Sequence, residues 1–586
     1  MMALPQADDR TRAGAPGRKT GAWLVGAMVV FLLLLYWAYL PRHAERAAFY
    51  TGDQGIRLMQ LEGMKRHGFG LFHNPSPRID PDVEFFHDPA LRRAHGRSVW
   101  MIPPFFALIT LPAYATFGAF GLYLLPALGA VLAVAALWRG GDAAGGTSYS
   151  GPIAAGLFGL ASPAVFYGAE FSEHAVATGL AVAGICCCLA VRDRWWGAGC
   201  CGLLCAAAAS MRTECVVMLA AAAVLICFAA PRGRITASIV ALAVGAVVVL
   251  GPLAALNVAW FGHPWGLHAS GNVWRSGLLG PASVLGPARI VLLPPHAYQM
   301  AAIAAAVVFK LLAMAVGASP TWRRGLNWAF AAALVCLAVA AVVLPLAHKA
   351  LFVVAPWALC LLAPVGLRDG SSNGASEPER RAAPRGMLAG LSAASALYVI
   401  VVLLAAPGTG GALWGPRFLL PGLALLALAA GTAARLSVAS ARGAVRVAML
   451  VAFVALALAG LWNGSRSLRS LCSIKHQNGM MLSGLIKHTG KGDVIVSDTW
   501  WLAQVSAVLV YRRHFFIIPD DPDAEARVGK LLGRLRALGV ERIHYVTAIA
   551  GPSPLRSRIE AEATPAGWRL LVPYDQLMET YVLHGQ

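Results

Sequence analysis

The side chains of this chain that can carry chemistry gather in five short segments. Asp53 stands between two glycines in "TGDQG" (51–55), and Glu170, Glu173 and His174 fall in "YGAEFSEHAV" (167–176). Arg212 and Glu214 lie in "SMRTECV" (210–216), and Asn257, His263, His268 and Asn272 in "LNVAWFGHPWGLHASGN" (256–272). Trp414 and Arg417 lie in "GALWGPRFLLP" (411–421). Carboxylates and imidazoles move protons, and a guanidinium fork holds anions. Every segment borders a long apolar run. Ionisable groups that close to a membrane core are costly and usually functional. Each also has a plainer role open to it. Asp53 can cap the helix that begins at "QGIRLMQLEGMKRHG". Arg212 and Glu214 can be interfacial anchors or a structural ion pair, and His263 and His268 ordinary loop residues. Their gathering on one side is what argues for a site.

The elements that position them follow from composition. The chain has 586 residues, 58% hydrophobic and only 13% charged, with a mean hydropathy of +0.63. Soluble globular chains carry about a quarter charged residues. Repeated apolar runs mean transmembrane helices, since lipid forces the backbone to satisfy itself. A β-barrel would show short alternating segments, and none is present. The expected architecture is an all-α polytopic membrane protein with a small C-terminal α/β domain. Thirteen spans are expected, at about 22–40, 120–138, 151–167, 174–191, 197–211, 213–230, 235–256, 300–318, 326–346, 350–366, 387–406, 418–436 and 446–463. The stretch 101–118, "MIPPFFALITLPAYATFG", is expected to lie in the interface or re-enter, as Pro103 and Pro104 favour.

The net charge of +20 fits this picture better than nucleic-acid binding. Arg clusters in short loops such as "VRDRWW" (191–196), "PRGR" (231–234), "TWRRG" (321–325) and 368–386, as the positive-inside rule expects of cytoplasmic loops. Residues 1–20 then form a cytoplasmic tail and 21–463 the transmembrane domain. The first extracytoplasmic loop is 41–99, and an extracytoplasmic α/β domain spans 464–586. The run 21–40 is too long for a signal-peptide core and reads as an anchor. Ten of the eleven cysteines lie in apolar runs, with no CxxC pair, so neither a zinc site nor a disulfide framework is indicated. In the tail, "GDVIVSDTWW", "RHFFIIP" and "ERIHYVTA" read as strands around the helix "DPDAEARVGKLLGRLRALGV". No GxGxxG or P-loop accompanies them.

Five segments together resemble a known family. "TGDQG", "MIPPFFALI", "SPAVFYGAEFSEHA", "NVAWFGHPWGLH" and "WGPRFLLP" look like the membrane-embedded GT-C glycosyltransferases, nearest the protein O-mannosyltransferase-like and lipid A aminoarabinose transferase-like group. The resemblance spans about 20–440; the C-terminal domain is much less diagnostic. It implies an enzyme of the bacterial cytoplasmic membrane, working on the outer side. Such an enzyme moves a sugar, with inversion expected, from a polyprenyl-phosphate donor to a glycolipid, cell-envelope glycan or protein. It makes Asp53 the general base, and Glu170 and Glu173 further catalytic acids. Arg417, and next Arg212, would hold the donor phosphate. His174, His263, His268 and Trp414 would contact donor or acceptor, and Gly52 and Gly55 would let substrate approach. A divalent metal on Glu170, Glu173 and His174 is compatible with the residue types, but their spacing is no recognised metal motif. "SEH" departs from the paired Asp of better-known branches, which leaves the second acid open. The rival readings are a transporter or flippase of a lipid-linked sugar and a non-catalytic membrane subunit.

Overall fold

The computed structural model describes residues 16–39, 48–69, 72–145, 149–267, 303–305, 307–308, 320–343, 350–362, 378–405, 415–519, 521–547, 554–563, 568–575 and 578–583. Among them, eight helices are long and apolar enough to cross a membrane. The first half runs α1 (Pro16–Tyr39), α2 (Gly52–His67), the hairpin β1 (Leu91–Ala94) and β2 (Arg97–Trp100), α3 (Phe105–Phe117), α4 (Gly121–Gly145), α5 (Ser150–Gly159), α6 (Ala164–Gly168), α7 (Glu173–Ala190), α8 (Trp195–Met211), α9 (Val217–Ala229) and α10 (Ile235–Phe261). It continues with α11 (Pro320–Val343), α12 (Leu351–Val354), α13 (Pro378–Ala405), α14 (Leu420–Ser440) and α15 (Gly443–His488). Large apolar side chains stay exposed along α1 and α10, for example Trp23, Val244 and Val247. A lipid-facing surface has that character, because lipid tails are as apolar as the side chains.

Two expected spans are broken helices. The segment 151–167 divides into α5 and α6 at Ser162–Pro163, and 350–366 gives α12 and a 3-10 run, Pro356–Leu362. Proline lacks the N–H a continuing helix needs. Non-helical backbone at membrane depth survives only where protein buries and satisfies it. Here the breaks satisfy each other: Trp357 Nε1 donates to the Ala161 carbonyl at 2.6 Å, and Asn463 of α15 donates to the Val353 carbonyl at 2.6 Å. The stretch 101–118 forms α3 and a 3-10 turn that leads into α4. Gly118 has φ 59°, and a Cβ on Gly121 would lie 2.1 Å from the Ala113 carbonyl oxygen, so the chain turns back sharply there. The expected span 300–318 lies almost wholly outside the described residues.

Helix α15 runs unbroken for 46 residues, about 70 Å at the rise of an α-helix. It passes residue 463, where the apolar run ends, and carries the chain into a C-terminal α/β unit. That unit holds β3 (Val494–Ser497), α16 (Trp500–Val505), α17 (Ala507–Val510), β4 (His514–Ile517), α18 (Ala524–Ala537), β5 (Arg542–Val546), α19 (Pro554–Ala563), β6 (Trp568–Asp575) and β7 (Met578–Leu583). The three strands and the helix expected from the tail are all present. The sheet order is β4-β3-β5-β7-β6, with β3 parallel to β4 and β5, and β7 antiparallel to β5 and β6.

The first loop is built into this unit. Ile517 N–H donates to the Phe85 carbonyl at 2.9 Å and His87 N–H donates to the Ile517 carbonyl at 3.2 Å, so 85–87 extends the sheet beside β4. Ile79 and Phe85 enter the same buried core as Val494, Val496, Phe516 and Leu535. A second core joins α2 and α3 to α16 and α17.

Candidate active site

Asp53 sits in the first turn of α2, where an acid favours the exposed N–H groups of a helix start. The cap itself is Thr51, whose backbone N–H donates to Gln54 Oε1 at 2.7 Å. The Asp53 carboxylate therefore faces elsewhere: Arg417 Nη1 donates to its Oδ2 at 2.7 Å. Arg417 opens the 3-10 turn that leads into α14, so "WGPR" delivers a guanidinium to the start of "TGDQG". Arg57, one helical turn after Asp53, donates to the Asp53 backbone carbonyl at 2.6 Å.

A buried ion-pair chain backs this contact. Glu173, at the start of α7, is paired with Arg57 through Oε2 and with Arg212 through Oε1, the latter at 3.0 Å. Arg212 also donates from Nε to Glu214 Oε1 at 2.8 Å. The guanidinium carbons of Arg212 and Arg417 lie 5.2 and 5.1 Å from the Phe418 ring centre, a cation–π arrangement with the ring shared by both. Three arginines thus balance three acids. Burial alone would raise the Asp53 carboxyl, but Arg417, then Arg57 and Arg212, outweigh it and hold it down at about 2. The surroundings of Asp53 are dense, yet its side chain keeps 38% of its surface against 15% for Arg417, so the pair meets an opening.

The remaining expected residues are placed as follows. Glu170 is fully buried, and Lys475 of α15 acts on it most strongly among the surrounding cations. Lys475 in turn donates to Tyr123 Oη at 2.8 Å. His174 is buried with its ring 4.9 Å from that of Tyr167. His263 accepts the Trp265 N–H through Nδ1 at 3.3 Å beyond the end of α10. His268 and Trp414 lie outside the described residues. Among those described, no three His, Cys, Asp or Glu side chains come together as a metal site. Glu173, one of the proposed metal ligands, is taken up by two arginines.

Beside the cluster lies an apolar cavity of about 310 Å³ between α3, α8 and α10, lined by Pro103, Ser210, Thr213, Val247, Gly251 and Trp265 among others. Ser210 and Thr213, two of its lining residues, flank Arg212 in the chain. Asn257, also in its wall, donates to the Pro264 carbonyl at 3.0 Å and ties the loop after α10 to the helix.

Sequence reasoning missed three residues at this site. Arg57 carried a signal, because four residues after an acid on a helix is the same face. Asp88 and Gln504 carried none. They meet across 416 positions: Gln504 Nε2 donates to both Asp88 carboxylate oxygens at 2.9 Å.

Among solved structures, the fold is similar to that of ArnT from Cupriavidus metallidurans in the apo state, at 12% identity and a TM-score of 0.50, over 96% of this chain and 98% of that one. The same protein bound to undecaprenyl phosphate matches over the same shares at 12% identity and a TM-score of 0.47. No protein-family profile matches the sequence. No curated protein matches it either.

Proposed function

We propose that this chain is a glycosyltransferase of the bacterial cytoplasmic membrane. It moves a sugar from a polyprenyl-phosphate donor to an acceptor outside the cytoplasm. The observation that carries the reading is the Asp53–Arg417 contact, a carboxylate and a guanidinium at one opening, with an apolar cavity lined by the chain neighbours of Arg212. The cavity suits a prenyl chain, and the arginines suit its phosphate.

In the reaction, Asp53 takes the proton of the acceptor hydroxyl as its oxygen attacks the anomeric carbon. The bond from that carbon to the phosphate oxygen breaks, and the lipid phosphate leaves with the electron pair. Arg417, with Arg212 behind it, neutralises the charge that develops there. A carboxylate held at about 2 is a weak base. Donor phosphate removes that obstacle, because it competes for Arg417 and leaves Asp53 free to take a proton. Attack from the face opposite the phosphate inverts the anomeric centre. Glu173 acts by fixing Arg57 and Arg212.

The test is reconstitution of the purified chain with a panel of radiolabelled polyprenyl-phosphate sugars, with and without membrane glycans, beside Asp53→Asn. Consumption of one donor by the wild type alone supports the reading. Equal consumption by both removes Asp53 from the chemistry. Movement of an intact donor across the vesicle, with no transfer, establishes the flippase instead.

A further inference from the structure

The two glycines of "TGDQG" have a use that the reaction does not explain. They lie on one face of α2, three residues apart. A Cβ on Gly52 would stand 1.7 Å from Gln504 Oε1, and a Cβ on Gly55 would stand 1.6 Å from the Gln504 backbone oxygen. A side chain at Gly55 would strike the Gln504 backbone, and one at Gly52 would displace the Gln504 amide. What approaches this turn is therefore α16 of the C-terminal unit, where the sequence suggested substrate.

Gln504 is itself buried at 2% exposure, and Asp88 at 4%. The Gln504 amide spans the gap between them. Its Nε2 donates to both oxygens of Asp88, while its Oε1 lies against Gly52. Asp88 Oδ1 also accepts the Ala90 N–H at 2.8 Å, which fixes the acid within the first loop. The chain of contacts runs from the first loop, through a side chain of the C-terminal unit, to the helical turn that holds Asp53. The amide holds Asp88 by donation from its NH2 group and meets the turn by close packing against Gly52 and Gly55.

We propose that Gln504 is a positioning residue for Asp53: docked on Gly52 and Gly55 and held by Asp88, it makes the C-terminal unit part of the active site. Asp53 is gripped on its other side by Arg417 and, through its backbone carbonyl, by Arg57. Gln504 supplies the opposing wall. When Arg417 turns to donor phosphate, that wall keeps the turn from following it. Displacements of about 1 Å at a reacting group cost on the order of 10²-fold in rate. The inference rests on Asp53 being the base of the transfer reaction.

The experiment has one readout that needs no substrate and one that does. Hydrogen exchange of segment 50–58 is measured on the full chain in lipid nanodiscs, for wild type, Gln504→Ala and Asp88→Asn. Turnover of whichever polyprenyl-phosphate sugar the wild type consumes is then measured for the same proteins. The expected result is exchange in this turn about tenfold faster in Gln504→Ala. With it should come kcat lower by about tenfold or more and a donor KM unchanged within about twofold. The milder Asp88→Asn keeps the side chain's size and covers the case in which Gln504→Ala does not fold; it should move both readouts the same way by less. Unchanged exchange in both variants overturns the docking. A loosened turn with unchanged kcat overturns the positioning role and leaves Gln504 as packing. Failure of the wild type to consume any donor would strike the transferase reading, while the exchange data would still decide the docking.

Discussion

Arg417 Nη1 stands 2.7 Å from Asp53 Oδ2, across 364 positions of sequence. The two groups proposed for opposite ends of the reaction, one for the acceptor proton and one for the leaving phosphate, hold each other. Each is released by what the other will bind. Arg417→Ala should therefore do two things. It should remove the main cation holding the Asp53 carboxyl down, and it should strip the donor phosphate of its nearest fork. We expect kcat/KM for the lipid-linked donor to fall by about 10²–10³-fold. Arg417→Lys should recover only part of this, since an ammonium does not reproduce the two-pronged geometry. Steady-state kinetics against donor concentration check it, and unchanged donor use in Arg417→Ala would reject the phosphate role.

The pH dependence follows from two acids shifted in opposite directions. Asp53 is held at about 2, below its ordinary range, so the stability it contributes is present above about pH 3.8 and is lost as pH falls through about 2. Asp88 is pushed up to about 6, because its burial outweighs the Gln504 and Ala90 hydrogen bonds. Its ionised form thus burdens the fold above pH 6, and the burden lifts as pH falls from about 6 towards about 3.8. Between pH 7.5 and 5 the Asp88 contribution should raise the thermal midpoint of the wild type, and Asp88→Asn should lose that rise. Thermal unfolding of the purified chain at a series of pH values measures both. A wild-type and Asp88→Asn pair with parallel curves would remove Asp88 as the titrating group.

How far the sequence carried can be argued from these same residues. The apolar runs and the basic loops foretold a helical membrane protein, because lipid leaves the backbone few alternatives. The tail's strands and its helix were legible in their apolar alternation and in the acidic start before Gly539. Asp53 and Arg417 were each legible as charges beside a membrane. Their pairing was not, since no local spacing encodes a contact between α2 and the start of α14. Ser162–Pro163 and Ala355–Pro356 were hidden for a related reason: hydropathy records burial in an apolar medium but not whether a helix continues. The partners that make those breaks tolerable, Trp357 and Asn463, are again distant in sequence. Gly52 and Gly55 were read as letting substrate approach; the group packed against them is Gln504, which no local spacing announces.

Glu173 separates a structural acid from a catalytic one. Its carboxylate is 3% exposed and shared by Arg57 and Arg212. Removing one member of a buried ion pair leaves uncompensated charge, at a cost of about 3–5 kcal/mol. Glu173→Gln leaves two arginines facing a neutral amide. We expect a lower thermal midpoint and reduced yield, with turnover per folded molecule falling because Arg57 and Arg212 shift. Asp53→Asn should lose about 10²–10⁴-fold in transfer, with a smaller drop in midpoint than Glu173→Gln, because the Asp53 side chain keeps 38% of its surface in water. Thermal unfolding and active-site-normalised kinetics on the two variants side by side decide it. A Glu173→Gln protein as stable as wild type but inactive would return Glu173 to the chemistry.

The apolar cavity makes a claim about chain length. Gly251 lines it from α10, and a Cβ there would have only Val247 Cγ1 near it, at 4.0 Å, so a larger side chain can enter without striking the fold. Gly251→Leu should fill part of the 310 Å³ while leaving Asp53 and Arg417 untouched. Each buried methylene of a prenyl tail contributes about 0.8 kcal/mol, so displacing two or three should raise KM for a long-chain donor by about tenfold or more. A short-chain donor that does not reach α10 should lose little, and kcat at saturation should hold for both. The comparison of the two donors on one variant is the measurement. An equal loss with both would mean the substitution disturbs the helix and not the lipid. No loss with either would place the prenyl chain somewhere other than between α3, α8 and α10.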